Sequence, residues 1–230
     1  MIACDVQDRV ARIVIRRAEA GNALTADLIR RLRDVFRDLY ASSTIVTLTG
    51  DGPDFCLGRD RNEPKSGTLY DAFSLVTELN TCISDFPGIM ISAIRGRAHG
   101  LGVGLVMRSD IAIASSDATF GLDEVQLGIP PMFIMAVIGD HLAPKHALDA
   151  ILTGREFSAN EALQMGLVSR VVPTSALESG LDDLVAELAT RDPEVIRACK
   201  SYFRTVGSVP SQGRSAFALV EQTKFAMSKH

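Results

Sequence analysis

Three short runs constrain the fold of this chain more than anything else in it: "TIVTLT" at 44–49, "IMISAI" at 89–94 and "DIAIA" at 110–114. They are apolar, rich in β-branched residues and brief, so each reads as a buried strand. Between them the period changes. Leu28, Ile29, Leu32, Val35, Phe36 and Leu39 recur at helical spacing behind Thr25, a residue suited to an N-cap. A second helical stretch lies near 69–84 and a glycine-opened one near 100–109. This alternation predicts an α/β layer with crossover helices.

At the N-terminus, residues 2–6 alternate apolar and polar, Gln7 and Asp8 supply a turn, and "RVARIVIR" resumes a β pattern. A hairpin is expected there. Beyond Pro130 and Pro131 the pattern becomes mostly helical. "SANE" at 158–161 is a capping box before a short helix that stops at Gly166, "LVSRVV" gives one more short strand, and helices fill 175–190, 193–206 and 211–227. The sequence carries no repeat, low-complexity tract or long linker.

Composition then narrows the function classes. With 230 residues, 47% of them apolar, the chain can bury a sizeable core as one domain, or as one domain with a smaller appendage. Its longest apolar runs fall far short of the roughly 20 residues a membrane span needs, and "MIACDVQDRVARIVIRR" lacks a signal-peptide layout, so a cytoplasmic, membrane-free protein is expected. The net charge is −4, and the arginine groups at 16–17 and 30–33 have no interleaved aromatics, which argues against a nucleic-acid partner. Cys4, Cys56, Cys82 and Cys199 are scattered without a C-x-x-C pair and read as reduced thiols. His141 and His146 are five apart, off the i,i+4 ligand spacing, so no metal site is expected.

The unusual chemistry sits in "GRAHGLGVGL" at 96–105, where Gly100, Gly102 and Gly104 alternate. A dinucleotide fingerprint would need a further glycine where Leu105 stands, and no Walker lysine follows, so phosphate cradling fits poorly. A second glycine-bearing loop, "TGDGPDFCLGRD" at 49–60, also exposes backbone N–H groups. Two such openings facing one pocket supply the paired donors that an anionic oxygen needs, on a phosphate or on an enolate formed from a thioester.

These residues carry a family resemblance. "RRAEAGNALT" at 16–25, "TGDGPDFCLGRD" at 49–60, "AIRGRAHGLGVGLVMRSDIAIASSDATFGLDEVQLGIPP" at 93–131 and "LTGREFSANEALQMGLVSRVVP" at 152–173 together resemble the enoyl-CoA hydratase/isomerase, or crotonase, superfamily over nearly the whole chain. The resemblance implies a ClpP/crotonase-like α/β fold of repeated β-β-α units, with two roughly perpendicular sheets and C-terminal helices. It divides the chain into a core with the active site at 1–175 and a helical trimerisation region at 176–230. It implies an acyl-CoA thioester as partner, a homotrimer or dimer of trimers, and no cofactor beyond the coenzyme A of the substrate.

It also implies site residues. The thioester oxygen is held by the backbone amides of Arg59 and Leu101, and Glu124 is the acid/base carboxylate. Cys56, Leu57, Gly58, Asp60, His99, Gly100, Gly104, Pro130 and Pro131 fall on the pocket. Family hydratases use two glutamates, and the first of these positions is Gly104 here. A single carboxylate suffices to lift a proton from one carbon and return it two carbons away, which moves a double bond. Isomerisation or hydration is therefore expected, with cleavage of an aryl-propenoyl thioester or a non-catalytic acyl-CoA-binding scaffold as alternatives. Asp123, beside Glu124, is expected to point elsewhere, Asp60 to fix its own loop, Cys56 to be a small buried thiol, and His99 to be a wall or supporting group.

Overall fold

The computed structural model of the chain describes residues 1–64 and 67–229. In chain order the elements are β1 (Ile2–Gln7), β2 (Val10–Ile15), α1 (Ala26–Leu39), β3 (Ile45–Gly50), α2 (Leu69–Asp85), β4 (Ile89–Ile94), β5 (Arg97–His99), α3 (Leu101–Arg108), β6 (Ile111–Ser115), β7 (Thr119–Gly121), α4 (Met132–Ile138), α5 (Pro144–Thr153), β8 (Glu156–Ser158), α6 (Ala159–Met165), β9 (Arg170–Val172), α7 (Leu177–Ala189), α8 (Pro193–Val206) and α9 (Arg214–Ser228). They build two sheets. The larger runs β1-β2-β3-β4-β6-β9 and is parallel except at the β1–β2 hairpin. The smaller runs β5-β7-β8, with β5 parallel and β8 antiparallel to β7.

Burial on both faces explains the unbroken apolar runs. In β4, Met90 and Ile94 face the main core with α1 and α2, while Ile91 and Ala93 face the other way, onto Leu177, Leu181, Leu184 and Val185 of α7. Parallel strands covered on both sides lose the polar alternation of a half-exposed strand. The hairpin turn falls one residue later than the sequence pattern suggests, on Asp8 and Arg9. Both have positive φ (46° and 67°), as a two-residue turn matched to strand twist requires.

Helix starts follow their caps. The Thr25 side chain accepts from Leu28 N at 3.3 Å, and Ser158 and Glu161 close the capping box on α6. Gly166 in a left-handed conformation ends α6, as the sequence indicates. The predicted strand in "LVSRVV" is confined to its last three residues, Arg170–Val172, which pair with β6. The small sheet is the second sheet that the resemblance implies, although no local pattern marks it. Its strands are three residues each, too short for a period to show.

Helix α8 is tied to the body by one buried cation. Lys200 Nζ donates to Gly88 O at 2.5 Å and to Asp110 Oδ2 at 2.6 Å, over the ring of Phe86. Helix α9 has no buried residue among those described and rests on α8 through the stacked rings of Tyr202 and Phe217. Among the described residues no helix is long and apolar enough to cross a membrane.

Candidate active site

The site begins with a loop laced between two neighbours. Buried Asn22 donates from Nδ2 to Asp51 O (2.8 Å) and Asp54 O (2.7 Å) and accepts from Arg17 N (2.9 Å), which staples residues 17–24 to the loop after β3. Leu57 N donates to Gly21 O, Leu24 N to Gly58 O and Asp60 N to Leu24 O. On the opposite side Cys56 N donates to Arg97 O and His99 N to Cys56 O, so the loop also pairs with β5. This staple is a functional position that the sequence alone does not reveal. A polar residue inside "GNAL" carried no period or spacing to expose it.

This lacing fixes the direction of one amide. Gly58 O and Asp60 N both point at Leu24, and successive amides of an extended segment alternate, so Arg59 N–H points the other way. Among the described residues it has no acceptor. Helix α3 starts on that side: a Cβ on Gly58 would lie 3.2 Å from Leu101 N and 2.8 Å from His99 O. Gly58 also has φ +84°, so the close approach and the backbone both call for glycine. Leu101 is the first residue of α3, and a helix offers its first N–H groups no internal acceptor. Two free amides therefore face one space.

The three alternating glycines have three separate reasons. Gly100 adopts φ 50°, ψ −118°, a region open to glycine alone, and a Cβ there would come within 2.9 Å of Glu124 Oε1. Gly102 packs on the carbonyl of Cys56, where a Cβ would collide. Gly104 faces Ile134 Cδ1, 3.0 Å from an added Cβ, and the Arg108 guanidinium at 3.6 Å. The space beside Gly104 is thus already shared by Ile134 and Arg108.

Glu124 stands on the 3-10 turn Asp123–Leu127 that follows β7. Its carboxylate lies against Gly100, and Oε2 is buried with no hydrogen-bond partner among the described residues. Burial pushes its pKa above the usual carboxylate range; the charge of Asp123 adds to this, and backbone donation and Arg61 oppose it. Asp123 points elsewhere, as expected for a neighbour in sequence. It pairs with Arg61 at 2.7 Å, which with other donors holds its carboxyl below the usual value.

A cleft of about 430 Å³ opens beside the amides, lined by Arg17, Leu57, Arg59, Asp60, His99 and Asp123 among others. Asp60 serves its own loop: it accepts from Asn62 N (2.8 Å) and pairs with Arg17 (2.7 Å), and these contacts lower its pKa. His99 forms a wall, with Nε2 3.0 Å from Glu156 Oε1 of β8 but not aligned for a hydrogen bond. Cys56 does not line the cleft. Its thiol is fully buried behind the loop, and burial raises its pKa to about 12. Gly58, Gly100, Gly104, Pro130 and Pro131 do not line the cleft either, and neither do Leu101 and Glu124, which lie behind its wall of Leu57, Arg59 and His99. The prolines start α4 and so seat Ile134 on Gly104. Among the described residues no group of three or more His, Cys, Asp or Glu side chains is placed to hold a metal.

Comparison with known proteins matches this layout to one family. The profile of the enoyl-CoA hydratase/isomerase family matches residues 5–227. The YngF protein of Bacillus subtilis, designated an enoyl-CoA hydratase/isomerase, is 31% identical over 204 residues, covering 84% of this chain and 77% of its own. The hydroxycinnamoyl-CoA hydratase-lyase of Pseudomonas fluorescens is 28% identical over 211 residues, covering 87% and 76%. A Thermobifida fusca protein described as an enoyl-CoA hydratase and solved in complex with CoA superposes with a TM-score of 0.90 at 25% identity, covering 99% of this chain and 93% of its own.

Proposed function

The chain belongs to the enoyl-CoA hydratase/isomerase family and has its two-sheet crotonase fold, and from that premise we propose that it moves the double bond of an enoyl-CoA thioester with Glu124 as its single acid/base. The observation that carries this reading is the half-buried carboxylate of Glu124, with Oε2 shielded and unpartnered, near two free amides, with glycine at 104 in place of any second carboxylate. The thioester oxygen accepts from Arg59 N–H and Leu101 N–H. Each preorganised donor is worth about 3–4 kcal/mol toward the enolate, and the positive end of α3 adds to both. The Glu124 carboxylate takes the proton from the α carbon of a 3-enoyl thioester, and the electrons pass to the thioester oxygen as a dienolate. The protonated Glu124 then returns that proton to the γ carbon, the dienolate collapses, and the 2-enoyl thioester forms.

Burial serves this chemistry by raising the pKa of Glu124 toward working pH, so that the group both takes and gives a proton. The proposal needs no group beyond the chain and the CoA of its substrate. It places the protein in the cytoplasm and assigns the C-terminal helices to assembly of a trimer or dimer of trimers. The core at 1–175 holds the site and 176–230 the contacts between copies. Aryl-propenoyl cleavage ranks second, because Ile134 and Arg108 already occupy the room that a ring would take beside Gly104.

The test is solvent deuterium incorporation at the α and γ carbons of 3-enoyl-, 2-enoyl- and aryl-propenoyl-CoA, wild type against Glu124→Gln. Incorporation into the 3-enoyl thioester, falling at least ~100-fold in the variant, is the expected result. The acid limb of the wild-type rate profile should lie above the usual glutamate range. Lack of exchange with every thioester, from folded protein, overturns the reading.

A further inference from the structure

One half-buried cation near the site, Arg108, has no counter-charge among the described residues. Arg108, the last residue of α3, donates from Nη1 to Gly104 O at 3.1 Å, while its Nε is buried and has no partner. Among the described residues no carboxylate lies within ion-pairing distance of it. Other arginines of the chain are treated differently: Arg97 pairs with Asp54, Arg33 with Asp34 and Glu78, and Arg155 with Asp149 and Glu161. The buried Lys200 has Asp110. A half-buried guanidinium whose Nε has neither water nor an acceptor loses solvation there that nothing returns, and burial accordingly lowers the pKa of Arg108 with no neighbouring anion to offset it.

The surroundings reinforce this. His141, after α4, is pulled below its ordinary pKa first by packing and then by the charge of Arg108, with Asp140 acting the other way. A contact with Gly104 O does cap a helix carbonyl, but a solvent-exposed arginine would do that without burial.

Position gives the orphan charge a meaning. Gly100, Gly104 and Arg108 are four residues apart along one face of α3. Glu124 lies over the first of these and the Arg108 guanidinium over the second, one helical turn or ~6 Å further on. Arg108 thus stands one turn beyond Glu124, in the direction that an acyl chain with its reacting carbons at Glu124 would continue along this face.

We propose that Arg108 pairs with an anionic group at the far end of the acyl chain, so that the substrate is a CoA thioester of a short dicarboxylic acid. This rests on the acyl-CoA reading above and narrows it. A carboxylate there accepts a two-pronged contact from the guanidinium and supplies the missing counter-charge.

The experiment is calorimetric binding of two unreactive saturated probes of equal length, hexanoyl-CoA and the CoA monothioester of hexanedioic acid, to wild type, Arg108→Met and Arg108→Lys. Neither probe turns over, so catalysis is not needed. Wild type is expected to bind the carboxylate-ended probe at least tenfold tighter, with the ratio falling to about one in Arg108→Met and partly kept in Arg108→Lys. Equal wild-type binding of the two probes overturns this inference and leaves the acyl-CoA reading standing, whatever the folding of the variants. A wild-type preference that survives in folded Arg108→Met also overturns it. Binding of neither probe overturns both.

Discussion

The two sheets divide the labour of this molecule unequally. The six-stranded sheet is where the chain hides its apolar mass: Val46, Leu48, Ile91, Ile94 and Ile113 are each at most 2% exposed, and none of them touches the site. The three-stranded sheet has nine residues in all, yet β5 delivers His99 and Gly100, β7 leads into Glu124, and β8 brings Glu156 against His99. Strength and the proposed chemistry fall to different layers, and the candidate site sits on the layer with less of its own to hold it. Its own contribution is the stacked Phe120–Phe157 pair across β7 and β8; the rest is borrowed from outside the sheet, from Asp54 paired with Arg97 at its edge and from the loop laced to Asn22.

The sharpest way to break this comparison is to truncate one large core side chain in each sheet. Phe120→Ala should cost about 3–5 kcal/mol and Ile113→Ala about 2–4 kcal/mol, read from denaturant midpoints. Turnover should separate them further. The phenylalanine variant should lose activity at temperatures where it is still folded, because β7 sets the turn bearing Glu124, while the isoleucine variant should keep its rate per folded molecule. Equal losses of rate per folded molecule would show that the sheets are not separable.

A smaller effect tests the edge of the small sheet. Asp54 accepts from Arg97 N (3.1 Å), Nε (2.9 Å) and Nη2 (2.8 Å), and these contacts hold its carboxyl below the usual range. Asp54→Asn should cost about 1–2 kcal/mol near pH 7, an estimate moderated because the arginine is half exposed. For a lowered carboxylate the stabilisation is complete above the unfolded value near ~3.9 and fades as pH falls through the folded one. The gap between wild type and variant should therefore hold at neutral pH and close below about pH 4, which thermal melts across pH will show.

The smallest expected effect has the opposite sign. The raised pKa of Glu124 means that its ionised form costs the fold stability, a cost absent at low pH and present once pH rises through the folded value. Glu124→Gln should melt up to about 1 kcal/mol more stably than wild type at pH 7.5 and lose that advantage at pH 4. A site that is more stable without its carboxylate would sharpen the contrast with the large sheet, where every deletion should destabilise.

The same division governs what could be read from sequence. The large sheet announces itself because its central strands β3, β4 and β6 are five or six residues long and mostly apolar, and helices such as α1 repeat Ile29, Leu32, Phe36 and Leu39 on one face. Strands of three residues have no period. Their register comes from contacts distant in sequence, such as Cys56 with Ala98 and Phe120 with Phe157, and no local pattern encodes those. The site was legible only through its glycines and the family resemblance they carry. The unpaired state of Arg108 was hidden for a different reason: an arginine at a helix end reads as solvated until the three-dimensional packing shows what is missing around it.

Gly58 carries one more consequence, for how such a site changes over generations. If the thioester is held by the amides of Arg59 and Leu101, the side chains at those two positions are free to drift without dismantling the donors. Selection can then tune what surrounds the substrate independently of what activates it. The constraint falls instead on a residue with no side chain, since any Cβ at 58 would press on the carbonyl of His99 and the amide of Leu101. The heritable signature of the site is then an absence of atoms, and the substrate preferences of its descendants are written in the positions around it.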